Sequence, residues 1–262
     1  MIFSDGISSD LLVDECTQIV THFDECSVIR TPTQPNYWYG NCLIERRPPT
    51  NVDLSISRFR RFVDGANHIC IQWDIENFDL GQISEEFESK GLKIERSEFL
   101  ALNGPIQVRP APAEYEFRPF SSKDDWDQSI KLQLVVDAET EAHDPEKYLP
   151  FLESRAHARQ QQIARGRGQW FGAFDRDLLV GDLGIFCDDR VARYQSVQTR
   201  ASHRKRGICS ALMALAHDWA KAQSPEARVL IAADADDTPR FLYRQLGFVP
   251  FETIVSVVKD GY

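Results

Sequence analysis

The sequence lacks the features of a membrane-spanning, exported or disulfide-stabilised protein. No apolar run approaches the ~20 residues that span a bilayer. The N-terminal segment carries Asp5, Asp10, Asp14 and Glu15 in place of the basic residues of a signal peptide. The six cysteines are scattered, with no Cys-x-x-Cys pair and no close histidine pair, which favours free thiols over a disulfide framework or a zinc site. These absences predict a cytoplasmic protein with no membrane association and no metal.

The chain also has no excess of positive charge, since its formal net charge is −10. A nucleic-acid-binding protein needs a broad basic surface, so we expect no nucleic-acid partner. Hydrophobic residues make up 42% of the 262 residues and aromatic residues 11%, which is enough for packed cores and excludes a disordered chain. The length allows one large domain or two of ordinary size.

The stretch Val197–Leu212 carries the clearest functional pattern, in which a strand leads through a basic loop into a helix. Residues up to Thr199 alternate in the manner of a strand, and Arg204-Lys205-Arg206-Gly207 forms the loop. One apolar helix face follows at Ile208, Ala211, Leu212, Leu215 and Trp219. The first N–H groups of such a helix have no internal partner, and the helix dipole adds positive charge there. Because Gly207 has no Cβ and permits close approach, the stretch predicts a phosphate or diphosphate site.

Two other interpretations compete with this one. A basic turn before an ordinary surface helix is common, and the stretch alone leaves that interpretation open. A P-loop also joins a strand to a helix, but it requires Gly-x-x-x-x-Gly-Lys-Ser/Thr. The loop here has a single glycine and no Lys-Ser/Thr pair, which disfavours a nucleotide hydrolase.

Two motifs resemble those of the GNAT (Gcn5-related) N-acetyltransferases. The coenzyme A loop of that family reads Arg/Gln-x-x-Gly-x-Gly/Ala, and this chain has Arg204-Lys205-Arg206-Gly207-Ile208-Cys209. The match departs at Cys209, although cysteine is small and weakly hydrophobic. The segment Phe241–Phe248 resembles the second family signature, in which a tyrosine, here Tyr243, lies four residues before a Gly-Phe pair.

The predicted order of elements in the second half agrees with the resemblance. It reads helix–helix–three antiparallel strands–helix–strand–helix–strand over about residues 115–260, which is the order of the GNAT fold. Before the basic loop, Ser121 or Ser122 with Asp124 and Asp125 is predicted to cap a helix that runs to about Val136. Periodicity and turn residues then predict a helix over Asp144–Ala164 and strands over Gln169–Phe174, Leu178–Phe186 and Val191–Thr199. After it they predict a strand over Arg228–Ala233, a helix over Thr238–Leu246 and a strand over Phe248–Val258.

The first half is predicted to be a smaller α/β unit. Its predicted elements are helices over Asp10–Phe23, Asp53–Val63 and Ile83–Lys90 and strands over Tyr37–Ile44, His68–Trp73 and Leu92–Leu102. Phe87–Leu92 parallels Tyr243–Phe248, which indicates a shortened second copy of the same fold, although two unrelated α/β pieces remain an alternative. This half has no coenzyme A loop, and Phe87 stands where the tyrosine would be, so we expect it neither to bind coenzyme A nor to catalyse.

A Pro-rich passage separates the two halves and sets the predicted domain boundary. The prediction is a degenerate, truncated GNAT-like domain over residues 1–112 and a GNAT acetyltransferase domain over residues 113–262. The fold class is α/β (α+β), with a mixed, mostly antiparallel sheet flanked by helices.

The resemblance implies acetyl-CoA as cosubstrate and places its binding site. The N–H groups of Arg206–Ser210 would hold the diphosphate, the backbone of Val197–Thr199 would line the pantetheine, and the N–H of Val197 or Gln198 would face the thioester oxygen. The residues expected at acetyl-CoA are Val197, Gln198, Thr199, Arg204, Lys205, Arg206, Gly207, Ile208, Cys209, Ser210 and Asp236.

Tyr243 is the predicted general acid, because a phenol with a pKa near ~10 can protonate a departing thiolate. A core tyrosine on a short helix is the alternative interpretation. The general base stays open. Many relatives carry a glutamate on the strand before the loop, where this chain offers only Gln195, Ser196 and Gln198. Asp182, His203 and Asp236 are alternatives, as is a base acting through water or no dedicated base.

The sequence therefore predicts an acetyl-CoA-dependent N-acetyltransferase that acetylates the primary amine of a small molecule by direct attack on the thioester. We expect a monomer or homodimer. The alternative is a non-catalytic module that binds coenzyme A, another anion or a protein partner.

Overall fold

The computed structural model describes residues 3–139, 143–234 and 239–261. The helices in these ranges are α1 Asp5–Val13, α2 Val52–Phe62, α3 Ile83–Ser89, α4 Lys123–Asp137, α5 Pro145–Ala164, α6 Ile208–Gln223 and α7 Pro239–Gln245. The strands are β1 Ile19–His22, β2 Cys26–Arg30, β3 Cys42–Glu45, β4 His68–Trp73, β5 Lys93–Leu102, β6 Tyr115–Pro119, β7 Gly168–Asp175, β8 Leu178–Cys187, β9 Val191–Thr199, β10 Arg228–Asp234 and β11 Phe248–Asp260. A 3-10 turn covers Ala201–His203.

The chain divides into two compact units, and the division does not follow the chain in order. The first unit contains Met1–Leu100, Ala232–Arg240 and Pro250–Tyr262, and the second contains Ala101–Ile231 and Phe241–Val249. The last strand thus packs with the N-terminal part of the chain. The predicted domains 1–112 and 113–262 concern a duplication in the sequence, whereas these units are defined by packing, so that boundary stays a prediction.

The first unit is built on a sheet in the order β1-β2-β3-β4-β11-β5. β1, β2 and β3 are antiparallel, β3 and β4 are parallel, and β4 and β11 are antiparallel. β4 has the predicted bounds, and every one of its residues is buried. The side chain of Asn51 accepts a hydrogen bond from the Leu54 amide and so caps α2. That helix then buries Phe59 in the core of this unit.

The predicted helix over Asp10–Phe23 is wrong. The structure has the short helix α1, a turn at Asp14–Thr17, and the strand β1, which pairs with β2. The β-branched residues Ile19, Val20 and Thr21 favour this extended conformation. The leucines of the first segment supplied a helical pattern that does not continue past Val13.

The second unit contains a sheet in the order β10-β9-β8-β7-β6. β6, β7, β8 and β9 are antiparallel, and β9 and β10 are parallel. The prediction missed β6, which lies at the end of the Pro-rich passage and pairs with β7. Ser122 and Asp125 form a reciprocal capping box at the start of α4, which confirms the predicted cap.

A β-bulge interrupts β9 where the predicted site begins. Asp182 pairs with Gln198 and Gly184 pairs with Gln195, so two residues of β9 stand opposite the single residue between them on β8. Ser196 has a φ of 49°, in the left-handed region. β10 is in register with β9 only at Val191, Ala192 and Arg193. The remaining residues of β9 therefore have no ladder partner on that side among the described residues.

The predicted fold class is confirmed, since helices and strands alternate along the chain and most of the strand pairs are antiparallel. No helix within the described ranges has both the length and the apolar character needed to cross a bilayer.

Candidate functional site

The basic loop and the start of α6 have the predicted geometry. Gly207 is the N-cap residue and has a φ of 79°, a conformation that glycine adopts without strain. In the described part of the chain, no side chain caps the first turn of α6. The amides of Ile208 and Cys209 therefore lie at a helix end of positive potential that no described side chain caps.

The three cations of the loop have different surroundings. Arg204 makes a two-pronged ion pair with Glu139, with contacts of 2.6 and 2.9 Å, and its Nε donates to the Thr199 carbonyl. Arg206 donates to the Tyr115 hydroxyl at 3.0 Å. Lys205 is exposed, and none of the described residues pairs with its ammonium group. Of the three, Arg204 is the one that is ion-paired among the described residues, so Lys205 and Arg206 both keep a charge available to an anion.

A segment of the Pro-rich passage lies against this loop. The Ser210 hydroxyl accepts a hydrogen bond from the Arg109 amide at 3.3 Å and lies 3.0 Å from the Arg109 carbonyl oxygen. A Cβ at Gly207 would lie 2.7 Å from the carbonyl oxygen of Pro110. The Arg109 guanidinium donates to Gln245 Oε1 at 3.0 Å. The space beside the Gly207 Cα is therefore filled by the chain's own backbone, which sequence reasoning had left to a ligand.

Cys209, the residue that departs from the family loop, has a thiol that is largely shielded from water. Burial raises the pKa of its thiol to about 12. A thiol in that environment stays neutral at physiological pH and is a poor nucleophile. Cys209 therefore acts as a small packing residue in the first turn of α6.

Tyr243 lies on α7 and is buried. Its ring meets the ring of Phe248 edge-on, with centroids 6.2 Å apart. Gly247 follows α7 with a φ of 104°, as the predicted Gly-Phe pair requires. Asp236, expected at acetyl-CoA and considered as a base, lies outside the described residues.

The two remaining candidates for the general base occupy different environments. Asp182 is fully buried on β8, and burial raises the pKa of its carboxyl to about 6, against the hydrogen bonds from Ser129, Trp170 and Gln198 and the charge of Arg159. Having no exposed surface, Asp182 does not meet a ligand directly. His203 Nε2 lies 3.5 Å from Asp175 Oδ2, and its ring packs on Tyr115.

Sequence reasoning missed several residues that shape this site, among them Arg109, Glu139 and Arg159. One local signal indicated that such polar partners exist, and that signal is Asp182. It interrupts an otherwise apolar strand, Leu178–Cys187, and a buried carboxylate requires partners. The described residues contain no group of three or more His, Cys, Asp or Glu side chains placed to hold a metal ion.

The structure thus has a bulged strand that leads through a basic loop to a helix start without a side-chain cap among the described residues. Residues 166–250 match the profile of a family described as "Acetyltransferase (GNAT) domain". The predicted resemblance to the GNAT acetyltransferases is therefore confirmed over this segment. No curated protein matched the chain.

Solved structures with the same fold extend over nearly the whole chain. A conserved protein of unknown function from Staphylococcus epidermidis is 18% identical, with a TM-score of 0.70 over 95% of this chain and 96% of that chain. A GCN5-related N-acetyltransferase from Kribbella flavida is 16% identical, with a TM-score of 0.65 over 98% and 95%. A tandem GNAT protein from the clavulanic acid biosynthesis pathway is 15% identical, with a TM-score of 0.59 over 98% and 95%. The structural similarity to this tandem GNAT protein therefore includes the N-terminal half of the present chain.

Proposed function

We propose that the protein is an acetyl-CoA-dependent N-acetyltransferase that acetylates the primary amine of a small molecule. The observation that carries this proposal is the first turn of α6. It follows a bulged strand, it has no side-chain cap among the described residues, and it lies within the segment that matches the GNAT domain. Helix ends of this kind bind phosphate groups.

The residues around that turn fit the parts of acetyl-CoA. The amides of Arg206–Ser210 and the unpaired ammonium of Lys205 would hold the diphosphate. The backbone of Val197–Thr199, which has no ladder partner on the β10 side among the described residues, would line the pantetheine. The N–H of Val197 or Gln198 would donate to the thioester oxygen as that oxygen gains charge.

In the proposed reaction the amine nitrogen bonds to the thioester carbon, and the C–S bond then breaks. Tyr243 is assigned to protonate the departing thiolate and would regain its proton from solvent. Asp182 is buried and β9 carries no carboxylate at residues 195–198, so the proton lost by the amine is proposed to pass to water, to His203 or to Asp236, and the general base stays open among these.

The test has two measurements. Calorimetry with acetyl-CoA measures binding, and thiol release with a panel of small primary amines measures turnover. Tyr243→Phe should lower kcat by about 10²-fold and leave the Kd for acetyl-CoA within twofold, because the phenol acts only in the reaction. Tyr37→Phe is the control, because it removes a hydroxyl that donates to Asp14 in the first unit.

Absence of acetyl-CoA binding at millimolar ligand would overturn the proposal. Binding without turnover on any amine would support the non-catalytic alternative. Turnover that is equal in wild type and Tyr243→Phe would keep the activity and remove the role assigned to Tyr243.

A further inference from the structure

A buried polar network lies beneath the bulge of β9. Asp182 Oδ2 accepts hydrogen bonds from the Ser129 hydroxyl of α4 and, at 3.1 Å, from the Trp170 indole of β7. Asp182 Oδ1 accepts a 2.6 Å hydrogen bond from Nε2 of Gln198. The Arg159 guanidinium of α5 lies 4.5 Å from the Trp170 ring centroid and donates to the Ser196 hydroxyl at 2.9 Å. Four elements thus converge on the bulged strand.

The chemistry of Asp182 fixes the orientation of the Gln198 amide. An indole N–H can only donate, and an ionised carboxylate can only accept. Gln198 must therefore turn its NH₂ group toward Asp182. Its carbonyl oxygen, Oε1, then points away from the carboxylate, and none of the described residues donates a hydrogen bond to it. Gln198 itself is only half-buried.

We infer that Asp182 is a positioning residue that holds the Gln198 side chain with its Oε1 facing the ligand, where Oε1 accepts a hydrogen bond from a ligand N–H. The inference rests on the proposed function. Two ligand groups have this chemistry: an amide N–H of pantetheine and the N–H of the acceptor amine. Gln198 lies on β9, the strand proposed to line acetyl-CoA, so either of these N–H groups is a candidate donor to Gln198 Oε1.

The substitution Asp182→Asn can reverse the hydrogen bond to Gln198 and keep the hydrogen bonds from Ser129 and Trp170. Asp182→Asn can place its carbonyl oxygen at the Oδ2 position, where it still accepts from Ser129 and Trp170. Its NH₂ group then occupies the Oδ1 position and faces the NH₂ group of Gln198. Gln198 must turn over to avoid two facing donors, and it presents a donor to the ligand in place of an acceptor.

A second substitution should restore the acceptor. In the double variant Asp182→Asn/Gln198→Glu, the new carboxylate accepts from the amide at residue 182 with one oxygen and presents its other oxygen to the ligand. Ser129→Ala is the structural control. It removes a donor to Oδ2 and leaves the bond between Oδ1 and Gln198 in place.

The experiment measures the Kd for acetyl-CoA by calorimetry and the KM for an amine that the wild type acetylates, in all four proteins. Asp182→Asn should raise either the Kd or the KM by roughly tenfold, and the double variant should bring that constant most of the way back to the wild-type value. A change in Kd assigns the donor to pantetheine, and a change in KM alone assigns it to the acceptor amine. Ser129→Ala should lower the thermal midpoint with both constants within twofold.

The inference is overturned if Asp182→Asn leaves both constants unchanged, if the double variant fails to restore the loss, or if Ser129→Ala causes an equal loss. A wild-type protein that neither binds acetyl-CoA nor acetylates any amine overturns the proposed function, and the inference falls with it. These failures are distinguishable, because the first group appears only in the variants and the second appears in the wild type.

Discussion

Replacing Gly207 by alanine tests whether the Pro-rich passage lies on the basic loop. Two costs add in this variant. The φ of 79° places a non-glycine residue in the left-handed region, at a cost of about 1–2 kcal/mol. The new Cβ would also lie 2.7 Å from the Pro110 carbonyl oxygen, and displacing that backbone costs about 1–3 kcal/mol more. We expect Gly207→Ala to be destabilised by about 2–5 kcal/mol.

Gly166 provides a matched control. It has a φ of 75° and no atom within 4 Å of the position of a Cβ. Gly166→Ala therefore carries the conformational cost of about 1–2 kcal/mol without a contact to displace. Thermal unfolding followed by circular dichroism compares the two variants, and each kcal/mol should lower the midpoint by about 2–4 °C in a chain of this size.

The difference between the two midpoints isolates the contact with Pro110. If both variants lose the same number of degrees, the passage does not lie on Gly207 in solution and the reasoning is refuted. A larger loss in Gly166→Ala would contradict it as well.

Two further predictions concern the second unit. Burial opposes ionisation of Asp125, but Arg118 and the amides of Ser121 and Ser122 outweigh it and hold the pKa of that carboxyl well below its usual range. Asp125 should therefore stabilise the fold above its unfolded pKa of about 3.9, and this stabilisation should be lost as the pH falls toward the folded pKa. Asp125→Asn should lower the free energy of unfolding by about 1–3 kcal/mol at pH 7. Urea titrations should show a smaller difference in that free energy between variant and wild type at pH 3. A difference of the same size at both pH values would contradict this assignment. Gly184→Ala would drive a Cβ into the Trp170 ring and should cost about 1–3 kcal/mol, so a thermal midpoint equal to that of wild type would count against the packing.

Elements whose signals are local were predictable from the sequence. β4 and β9 have the predicted bounds, and the N-cap of α4 is Ser122, one of the two serines predicted to cap it. Each prediction depends on a pattern within a few residues: a short apolar run for β4, alternation for β9 and capping for α4. β1, β2 and β6 were missed because a short strand is defined by the strand it pairs with, and that partner is not visible in a local window.

The candidate site divides in the same way. The open first turn of α6 and its cations follow from residues that are neighbours in sequence. Arg109 reaches Ser210 across 101 residues, and Ser129 reaches Asp182 across 53, so neither contact has a local signal. Asp182 is an intermediate case, because a charge within a buried strand predicts that partners exist without naming them.

The path of the chain between its two units has a practical consequence. The chain passes from one unit to the other four times, and its last segment, Pro250–Tyr262, belongs with residues from the N-terminus. A gene cut after residue 112 would therefore leave β4 paired with β3 alone, and the edge of this fully buried strand that pairs with β11 would be exposed to solvent. Fragments of this protein made by dividing the gene in the middle should aggregate, whereas fragments designed around the interleaved path have a route to folding.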